Sequence, residues 1–379
     1  MNKRHLLWTG VGILAAGAAG FGVWLFTRPA AATVADAPPI SQEEVAATLA
    51  ALKPTKRERP VIAVIGINDA TEVLDYVMPT GILRRADVAE VMMIATGPGR
   101  VSLYPALTVE PDATVAEFDE RHPDGADYII VPQMSRADDP AALQWIKGQS
   151  AKGAMVIGVC AGARIVAEAG LLDGKRGTTH WFYLKKLREK HPSMQYVPNR
   201  RFVVDGRVAT TTGITASIPM SLTLIEAIAG REKAEAVARD IGLADWDARH
   251  ASDSFKFTRP FAVTVMGNTL AFWNRDRLGI ALAPNVDEVS LALTADAWSR
   301  TYRSRAVTLG ASSAAITTRN GVRIVPDEAA ANWPTQDLVP GFGDQAPAQA
   351  LDQTLSNIAS RYGARTRYVV AMQLEYPKL

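Results

Sequence analysis

A short apolar run that leads directly into a glycine-flanked cysteine constrains the fold of this chain more than any other feature. Residues 155–159 are typical of a buried strand, the motif Gly158-Val159-Cys160-Ala161-Gly162 overlaps its end, and a helical stretch continues to residue 169. Small residues on both sides of a nucleophile permit the sharp strand-to-helix turn called a nucleophile elbow. The sequence therefore predicts an α/β domain in which the Cys160 thiol lies at the carboxyl ends of parallel strands.

Cys160 is the only cysteine among the 379 residues, so it can form neither an internal disulfide nor a thiolate metal cluster. The N-terminus of the following helix favours the thiolate form, and the backbone N–H groups that start at Ala161 can stabilise an oxyanion. The alternative is a buried, inert cysteine, which is common in protein cores. We interpret Cys160 as a nucleophile because the strand, the turn, the glycines and the helix occur together.

Strand-like and helix-like runs alternate between residues 60 and 245, which is typical of a doubly wound, mostly parallel sheet. The expected strands are residues 61–67, 88–95, 128–131 and 155–159, and the expected helices are residues 75–85 and 140–152. A hydrophobic fraction of 48% allows this domain to bury a core. The formal net charge of +2 gives no strong attraction to nucleic acid.

The N-terminus is expected to be a separate element. Residues 6–26 carry no charge and follow Lys3 and Arg4; as a helix they would span about 32 Å, close to the hydrocarbon thickness of a bilayer. The positive-inside rule predicts that residues 1–28 form a single-pass transmembrane helix, with the body in the periplasm or outside the cell. The alternative is a signal peptide that is cleaved near residues 30–32 and releases a secreted body. Residues 29–59 are expected to be a linker with one short helix, capped by Ser41.

Several spaced motifs keep their order along residues 60–245. They are residues 75–79 with 83–86, the strand 129–132, the elbow 156–162 with its helix exit 167–174, Thr178-Thr179-His180-Trp181, and the loop 209–216. Together they resemble the ThiJ/PfpI family of the class I glutamine amidotransferase-like superfamily. The resemblance is closest to the isocyanide hydratase-like and AraC-regulator-type branches.

The resemblance implies a set of site residues. Cys160 would be the nucleophile, and Asp75 would be the carboxylate that hydrogen-bonds near its sulfur and tunes its reactivity. His180 would lie near the thiolate, although a purely structural role for this histidine stays equally open. The residues expected to line the oxyanion hole and the pocket are Ala161, Gln133, Gly162 and Thr179.

The chain also departs from the family pattern at its site. Gln133-Met134 stands where relatives usually have Gly-Gly, and Ala161 stands where PfpI-type proteases have histidine and isocyanide hydratases usually have threonine. No His-x-Glu pair follows later in the domain. We therefore expect neither a protease nor a glutaminase with a full triad. No metal or cofactor is expected, because the chain has no P-loop and no strand is followed by G-x-G-x-x-G.

Residues 246–379 are expected to form a second, smaller α/β domain in place of the helix-turn-helix tail of regulator relatives. Strand-like runs occur at residues 263–265, 278–283, 306–309, 322–325 and 368–374, and no basic recognition helix is evident.

A weak internal repeat supports this second domain. Residues 279–284 resemble 64–69, residues 324–327 match 109–112, residues 368–374 match 128–134, and Arg300 falls opposite Arg85. The second half would then be a truncated half-copy without a nucleophile, in which position 75 maps to Ser290 or Leu291. Common strand-helix patterning is the alternative source of this similarity.

These features predict a cysteine-dependent hydrolase or hydratase that attacks a small electrophile and forms a covalent intermediate on Cys160. The alternatives are a non-catalytic envelope module that binds a ligand, and a redox sensor based on the same thiol. The expected partners are a small-molecule ligand or substrate and the membrane, with no nucleic acid. A homodimer stays open, since relatives often dimerise.

Overall fold

The computed structural model describes residue 20 and residues 22–30, 36–329 and 333–376. The predicted membrane anchor, residues 1–28, lies mostly outside these ranges. Among the residues that are described, no helix is long and apolar enough to cross a bilayer. The expected linker helix is present as α1 (Gln42–Leu52), where the Ser41 side chain accepts a hydrogen bond from the Glu44 N–H at 3.1 Å.

A mostly parallel sheet forms the centre of the first half, with seven strands in the described part of the chain. In spatial order they are β11 (Phe202–Asp205), β12 (Val208–Thr211), β8 (Met155–Gly158), β7 (Tyr128–Val131), β1 (Val61–Gly66), β3 (Glu90–Ala95) and β6 (Ala113–Thr114). Within this sheet the edge pair β11–β12 is antiparallel and the other pairs are parallel. All six residues of β1 are buried, because a central parallel strand is covered on both faces. The predicted α/β fold is confirmed.

Helices cover both faces of this sheet. They are α2 (Val73–Ala86), α3 (Val115–Arg121), α4 (Pro140–Ala151), α5 (Ala163–Glu168), α6 (Trp181–Lys190), α7 (Ser217–Ala229) and α8 (Arg231–Asp240). Ile62 and Val64 of β1 belong to one apolar cluster, whereas Ala63 and Ile65 belong to another. Successive side chains of a strand point to opposite faces, so the core lies on both sides of the sheet.

The second half contributes a smaller parallel sheet and four helices among its described residues. Strand β14 (Ser304–Gly310) lies between β13 (Asp276–Ala281) and β17 (Glu328–Ala329). The helices are α9 (Arg259–Leu270), α10 (Glu288–Ser299), α11 (Pro347–Tyr362) and α12 (Ala364–Leu374). Helix α10 packs against α2, and one apolar cluster contains residues of both halves.

The two halves also share a mixed sheet, which has five strands among the described residues. Its order is β15 (Ile316–Thr317), β16 (Arg323–Val325), β5 (Thr108–Glu110), β4 (Val101–Tyr104) and β2 (Asp69–Glu72). A separate short pair joins β9 (Arg176–Gly177) and β10 (Gln195–Tyr196). The predicted boundary after residue 245 falls in the loop between α8 and α9. The division into two domains stays a prediction, because the halves share a sheet and a core.

Two predicted strands are wrong. Residues 263–265 lie in α9 and residues 368–374 lie in α12, so both runs are helical. Val369 and Met372, which are three residues apart and therefore on one helix face, pack with Phe261 of α9. Burial against a helix has overridden the β propensity of these residues. The proposed match of residues 368–374 to the strand at 128–134 is lost with the strand.

Candidate active site

The backbone turn at Cys160 has the strained geometry that the sequence predicts. Only Val159 separates Cys160 from the end of β8. The φ of Cys160 is 55°, in the left-handed region that residues other than glycine rarely adopt. A Cβ on Gly162 would lie 1.9 Å from the Val131 carbonyl oxygen, so a glycine is required where the turn passes β7. A single 3-10 turn, Cys160–Gly162, then leads into α5.

Two threonines hold the main chain of Cys160 on both sides. The Cys160 N–H donates to Thr211 Oγ1 at 2.9 Å, and Thr179 Oγ1 donates to the Cys160 carbonyl oxygen at 3.0 Å. Both side chains are almost fully buried. Thr179, which the sequence predicts as a pocket residue, lines the neighbouring cavity and also contacts the main chain of the nucleophile. Thr211 lies in the loop motif 209–216, but the motif alone did not indicate this role.

The structure brings Asp75 to Cys160, as the resemblance implied. Asp75 lies in the first turn of α2, is fully buried, and accepts a hydrogen bond from the Gln133 N–H at Oδ2, 3.0 Å away. Burial raises the pKa of Asp75 to about 8, and a hydrogen bond from the Cys160 side chain acts in the opposite direction. This contact with the thiol is loose, because Asp75 Oδ1 has no partner of ordinary hydrogen-bond geometry.

The thiol and the carboxyl behave as one titrating pair. Burial raises the pKa of Cys160, and the negative charges of Asp75 and Glu72 raise it further; the Ala161 N–H lowers it by donating to the sulfur. Near neutral pH, therefore, both groups tend to keep their protons. In the form that can react as a nucleophile, Asp75 keeps its proton and the Cys160 thiolate accepts hydrogen bonds from the Asp75 O–H and the Ala161 N–H.

A buried ion-pair network lies behind Asp75, and the sequence did not predict it. Glu72 caps α2 by accepting the Asp75 N–H at 2.6 Å, and its other carboxylate oxygen accepts from the Arg300 guanidinium at 2.5 Å. Arg300 also donates to Asp296 at 2.6 Å. Burial raises the pKa of Glu72, and Arg300 opposes that shift. Glu72 and Arg300 are far apart in sequence, so no local pattern could have paired them.

His180 is engaged by the main chain at both ring nitrogens. Its Nδ1 accepts from the Phe182 N–H at 3.2 Å, so Nε2 carries the proton and donates to the Gln373 carbonyl oxygen at 3.0 Å. Burial lowers the pKa of His180 to about 4, which keeps the ring neutral at neutral pH. The histidine therefore caps α6 and ties it to α12; its catalytic role stays a prediction.

Of the two predicted oxyanion donors, the Ala161 N–H is directed at the reacting sulfur and the Gln133 N–H is not. The Ala161 N–H is directed at the Cys160 sulfur, close to where a negative charge would develop. The Gln133 N–H is taken up by Asp75, and the Gln133 side chain donates to the Met134 carbonyl oxygen at 3.0 Å. The main chain of Gln133 thus orients the acid.

The end of α12 covers the site. Glu375 follows this helix with a φ of 50°, and its carboxylate accepts from the Trp181 N–H at 2.9 Å. The Thr215 hydroxyl donates to the Glu375 carbonyl oxygen at 2.9 Å, and a Cβ on Gly213 would lie 2.3 Å from the Glu375 Cβ. Burial raises the pKa of Glu375 to about 7, and its charge contributes to the raised pKa of Cys160.

A large cavity borders this cover. Its volume is about 1120 Å³, and its lining includes Thr179, Trp181, Thr212, His250, Phe255 and Glu375. Cys160 is 4% exposed and does not line the cavity, whereas Thr179, which donates to the Cys160 carbonyl oxygen, does. In the described part of the chain, no three His, Cys, Asp or Glu side chains are grouped so that they could hold a metal ion.

These features define an α/β protein with a buried cysteine at a nucleophile elbow. Residues 61–227 match the family model of the DJ-1/PfpI family. The chain therefore carries a DJ-1/PfpI family domain, which confirms the family that the sequence motifs suggested.

Individual relatives match shorter stretches. The isonitrile hydratase of Pseudomonas putida is 40% identical over 116 residues, which are 29% of this chain and 49% of that protein. The HTH-type transcriptional regulator CdhR of Pseudomonas aeruginosa is 37% identical over 108 residues, 28% of this chain and 32% of the regulator. The chain thus spans less than half of the length of these two relatives.

A crystal structure of Drosophila melanogaster DJ-1beta is also similar, with 22% identity and a TM-score of 0.45, covering 49% of this chain and all of that one. Because relatives include DNA-binding regulators, the comparisons do not support the expected exclusion of nucleic acid as a partner.

Proposed function

We propose that this protein is a cysteine-dependent hydrolase or hydratase that acts on a small electrophile through Cys160. The observation that carries the proposal is the contact between a strained-turn cysteine and Asp75, a buried carboxyl whose pKa is raised to about 8. A carboxyl that keeps its proton near neutral pH can act as a general acid. The similarity to an isonitrile hydratase supports a carbonyl, nitrile-like or isocyanide carbon as the target.

The reaction would proceed by proton exchange between Asp75 and the substrate. The Cys160 thiolate attacks the electrophilic carbon and forms the S–C bond, while the Asp75 proton moves to the substrate atom that gains charge. A water molecule then adds to the same carbon and gives a proton back to Asp75. The S–C bond breaks and the thiolate is restored, so the net change is addition of water.

The proposal is tested by turnover of Cys160→Ala and Asp75→Asn on amides, glyoxals and isocyanides. We expect Cys160→Ala to abolish turnover, and Asp75→Asn to reduce it by about 10²–10⁴-fold, the usual contribution of general acid–base catalysis. Ser290→Ala is a suitable control, because Ser290 is equally buried in the first turn of α10 and its replacement removes no titrating group. Turnover by Cys160→Ala that equals the wild type would refute the proposal.

The second candidate is a ligand-binding or redox-sensing module. The observation that favours a non-catalytic role is the cavity of about 1120 Å³ beside the site, which Cys160, 4% exposed, does not line. Peroxide would then oxidise the thiol to a sulfenic or sulfinic acid without any turnover. Intact-protein mass after peroxide treatment distinguishes the candidates: a stable added oxygen together with no turnover favours sensing, whereas an unmodified thiol refutes it.

We also propose that the body is held at a membrane by residues 1–28 and lies in the periplasm or outside the cell. The support is the uncharged run 6–26, together with an exposed apolar face next to its end. Trp24 contacts Phe257 edge-on at 5.8 Å between ring centroids, and the Arg259 N–H donates to the Pro29 carbonyl oxygen at 2.9 Å.

The exposed apolar face follows this contact along the chain. It contains Val263, Met266, Leu270, Phe272 and Trp273, of which Trp273 is 77% exposed. Aromatic side chains of this kind favour the membrane–water interface. Cell fractionation with a C-terminal reporter tests the proposal. Recovery of the body from the cytosol would contradict it, and release of the body as a secreted protein would favour signal-peptide cleavage.

A further inference from the structure

Several elements within residues 276–329 repeat elements of residues 61–114 at a constant spacing of 215 residues. β1 (Val61–Gly66) recurs as β13 (Asp276–Ala281), and β5 (Thr108–Glu110) recurs as β16 (Arg323–Val325). β6 and β17 keep the same spacing, and α2 and α10 begin at equivalent positions. Four elements in register, without a net insertion or deletion, make independent strand-helix patterning a poor explanation.

Local hydrogen bonds repeat at the same spacing. Asp112 accepts the Met93 N–H at 2.6 Å, and Asp327 accepts the Thr308 N–H at 2.8 Å. Likewise, the side chain that precedes each helix caps it. Glu72 accepts the N–H of Asp75 in α2, and Asp287 accepts the N–H of Ser290 in α10. The two segments therefore share side-chain interactions as well as chain path.

The contacts between the segments join equivalent positions. Arg85 of the first segment pairs with Asp287 of the second, and Arg300 of the second pairs with Glu72 of the first. In the shared sheet, Val109 pairs with its own counterpart, Ile324. Reciprocal contacts of this kind are what a two-fold axis produces between two subunits of a homodimer.

The two segments differ at the positions that form the candidate active site. The counterpart of Asp75 is Ser290, whose hydroxyl is buried without a hydrogen-bond partner. No cysteine follows in the second half. Arg85 therefore pairs with Asp287, the cap of a helix that has no nucleophile beside it. Arg300, by contrast, reaches the cap of the helix that carries Asp75 beside Cys160.

We propose that residues 276–329 are a built-in second subunit, a copy of residues 61–114 that has lost its own site and supplies Arg300 as a positioning residue to the Cys160 site. Arg300 binds the carboxylate that caps the helix of Asp75, and its positive charge offsets the negative charge of Glu72, which opposes ionisation of the Cys160 thiol. The proposal rests on Cys160 being the reactive group of the proposed function.

The face that a homodimer with this axis would use is already covered. Helix α10 packs on α2 so closely that a Cβ on Gly81 would lie 2.6 Å from the Glu288 carboxylate. A second chain therefore cannot pack on α2 as α10 does, and any homodimer must use another face.

The pseudo-symmetry provides a matched pair of variants for the test. Arg300→Gln removes the cation that serves the cysteine, and Arg85→Gln removes its counterpart. The measurements are the rate of Cys160 alkylation by iodoacetamide across pH, read by intact mass, and the thermal unfolding temperature. Alkylation needs no substrate, so it reports on Arg300 even when no turnover is found.

We expect both variants to lose stability, because each loses one of the two reciprocal ion pairs. Only Arg300→Gln should move the alkylation profile to higher pH, by about one unit, which slows alkylation about tenfold near neutral pH. Arg300→Lys keeps the positive charge and should shift the alkylation profile less. If Arg300→Gln does not fold, Arg300→Lys is the variant whose alkylation is measured. Identical profiles for all three variants and the wild type would show that Arg300 is merely structural and would overturn the proposal.

Discussion

At the scale of single residues, the reactivity of the candidate site depends on the protonation states of Cys160 and Asp75. Cys160 and Asp75 are both buried, and burial disfavours the charged form of each. The pair therefore differs from a surface cysteine, whose thiolate would be stabilised by the helix N-terminus alone. That simpler interpretation is what the sequence favoured, and it omits the carboxyl groups that oppose the thiolate.

We expect the free energy of unfolding of the wild type, relative to Asp75→Asn, to fall as the pH rises from about 4 to about 8. Asp75 has a pKa of about 8 in the folded protein and an ordinary value of 3.8, so in this window the folded state keeps a proton that the unfolded state releases. Each unit of pKa shift corresponds to about 1.4 kcal/mol. Across this pH window, the stability of the wild type relative to Asp75→Asn should thus fall by several kcal/mol.

Urea unfolding of both proteins at closely spaced pH values measures this difference. Ser290→Ala should retain the pH dependence of the wild type, because it removes no titrating group. Parallel stability curves for the wild type and Asp75→Asn would contradict a raised pKa of Asp75.

At the scale of elements, the buried strands and several helices of the first half could be predicted, whereas two helices of the second half could not. The strand β1 and the elbow after β8 follow from continuous apolar runs with glycine at the turn. The helix α12 was predicted as a strand, because β-branched residues fit both structures and the choice depends on its partner α9. The resemblance indicated Asp75, whereas Glu375 was missed because it reaches the site from the far end of the chain.

We expect Glu375→Gln to speed alkylation of Cys160 above about pH 7. Burial raises the pKa of Glu375 to about 7, so above this pH its carboxylate repels the thiolate. Glutamine keeps the oxygen that accepts the Trp181 N–H and removes the charge. A decrease of half to one unit in the pKa of Cys160 would raise the rate about three- to tenfold.

The measurement is the alkylation rate at several pH values, with Glu232→Gln as a control that removes an exposed charge on α8. An increase that is equally large below pH 6 would point to physical opening of the cover at α12, not to loss of the charge. No increase at any pH would contradict the electrostatic role of Glu375.

At the scale of the whole molecule, the halves are joined at their cores. The apolar cluster around α2 includes side chains from α10 and α11, and β16 continues the sheet that begins at β2. A core of this kind unfolds cooperatively, in contrast to domains that are joined only by a linker. The spacing of 215 residues was visible in the sequence as a weak repeat, but the reciprocal pairs Arg85–Asp287 and Arg300–Glu72 needed the three-dimensional structure.

We expect the body to unfold in one calorimetric transition, and Ile324→Ala to lower its stability by about 2–5 kcal/mol without splitting it. Ile324 is fully buried at the point where the halves meet, and its counterpart Val109 is equally buried beside it. Truncation at either position leaves a cavity in the same core, so Val109→Ala should also shift the whole transition, by less because a smaller side chain is lost. Two separate transitions, of which Ile324→Ala moves only one, would mean that the second half folds as an independent domain and that Arg300 reaches the site from a unit able to detach.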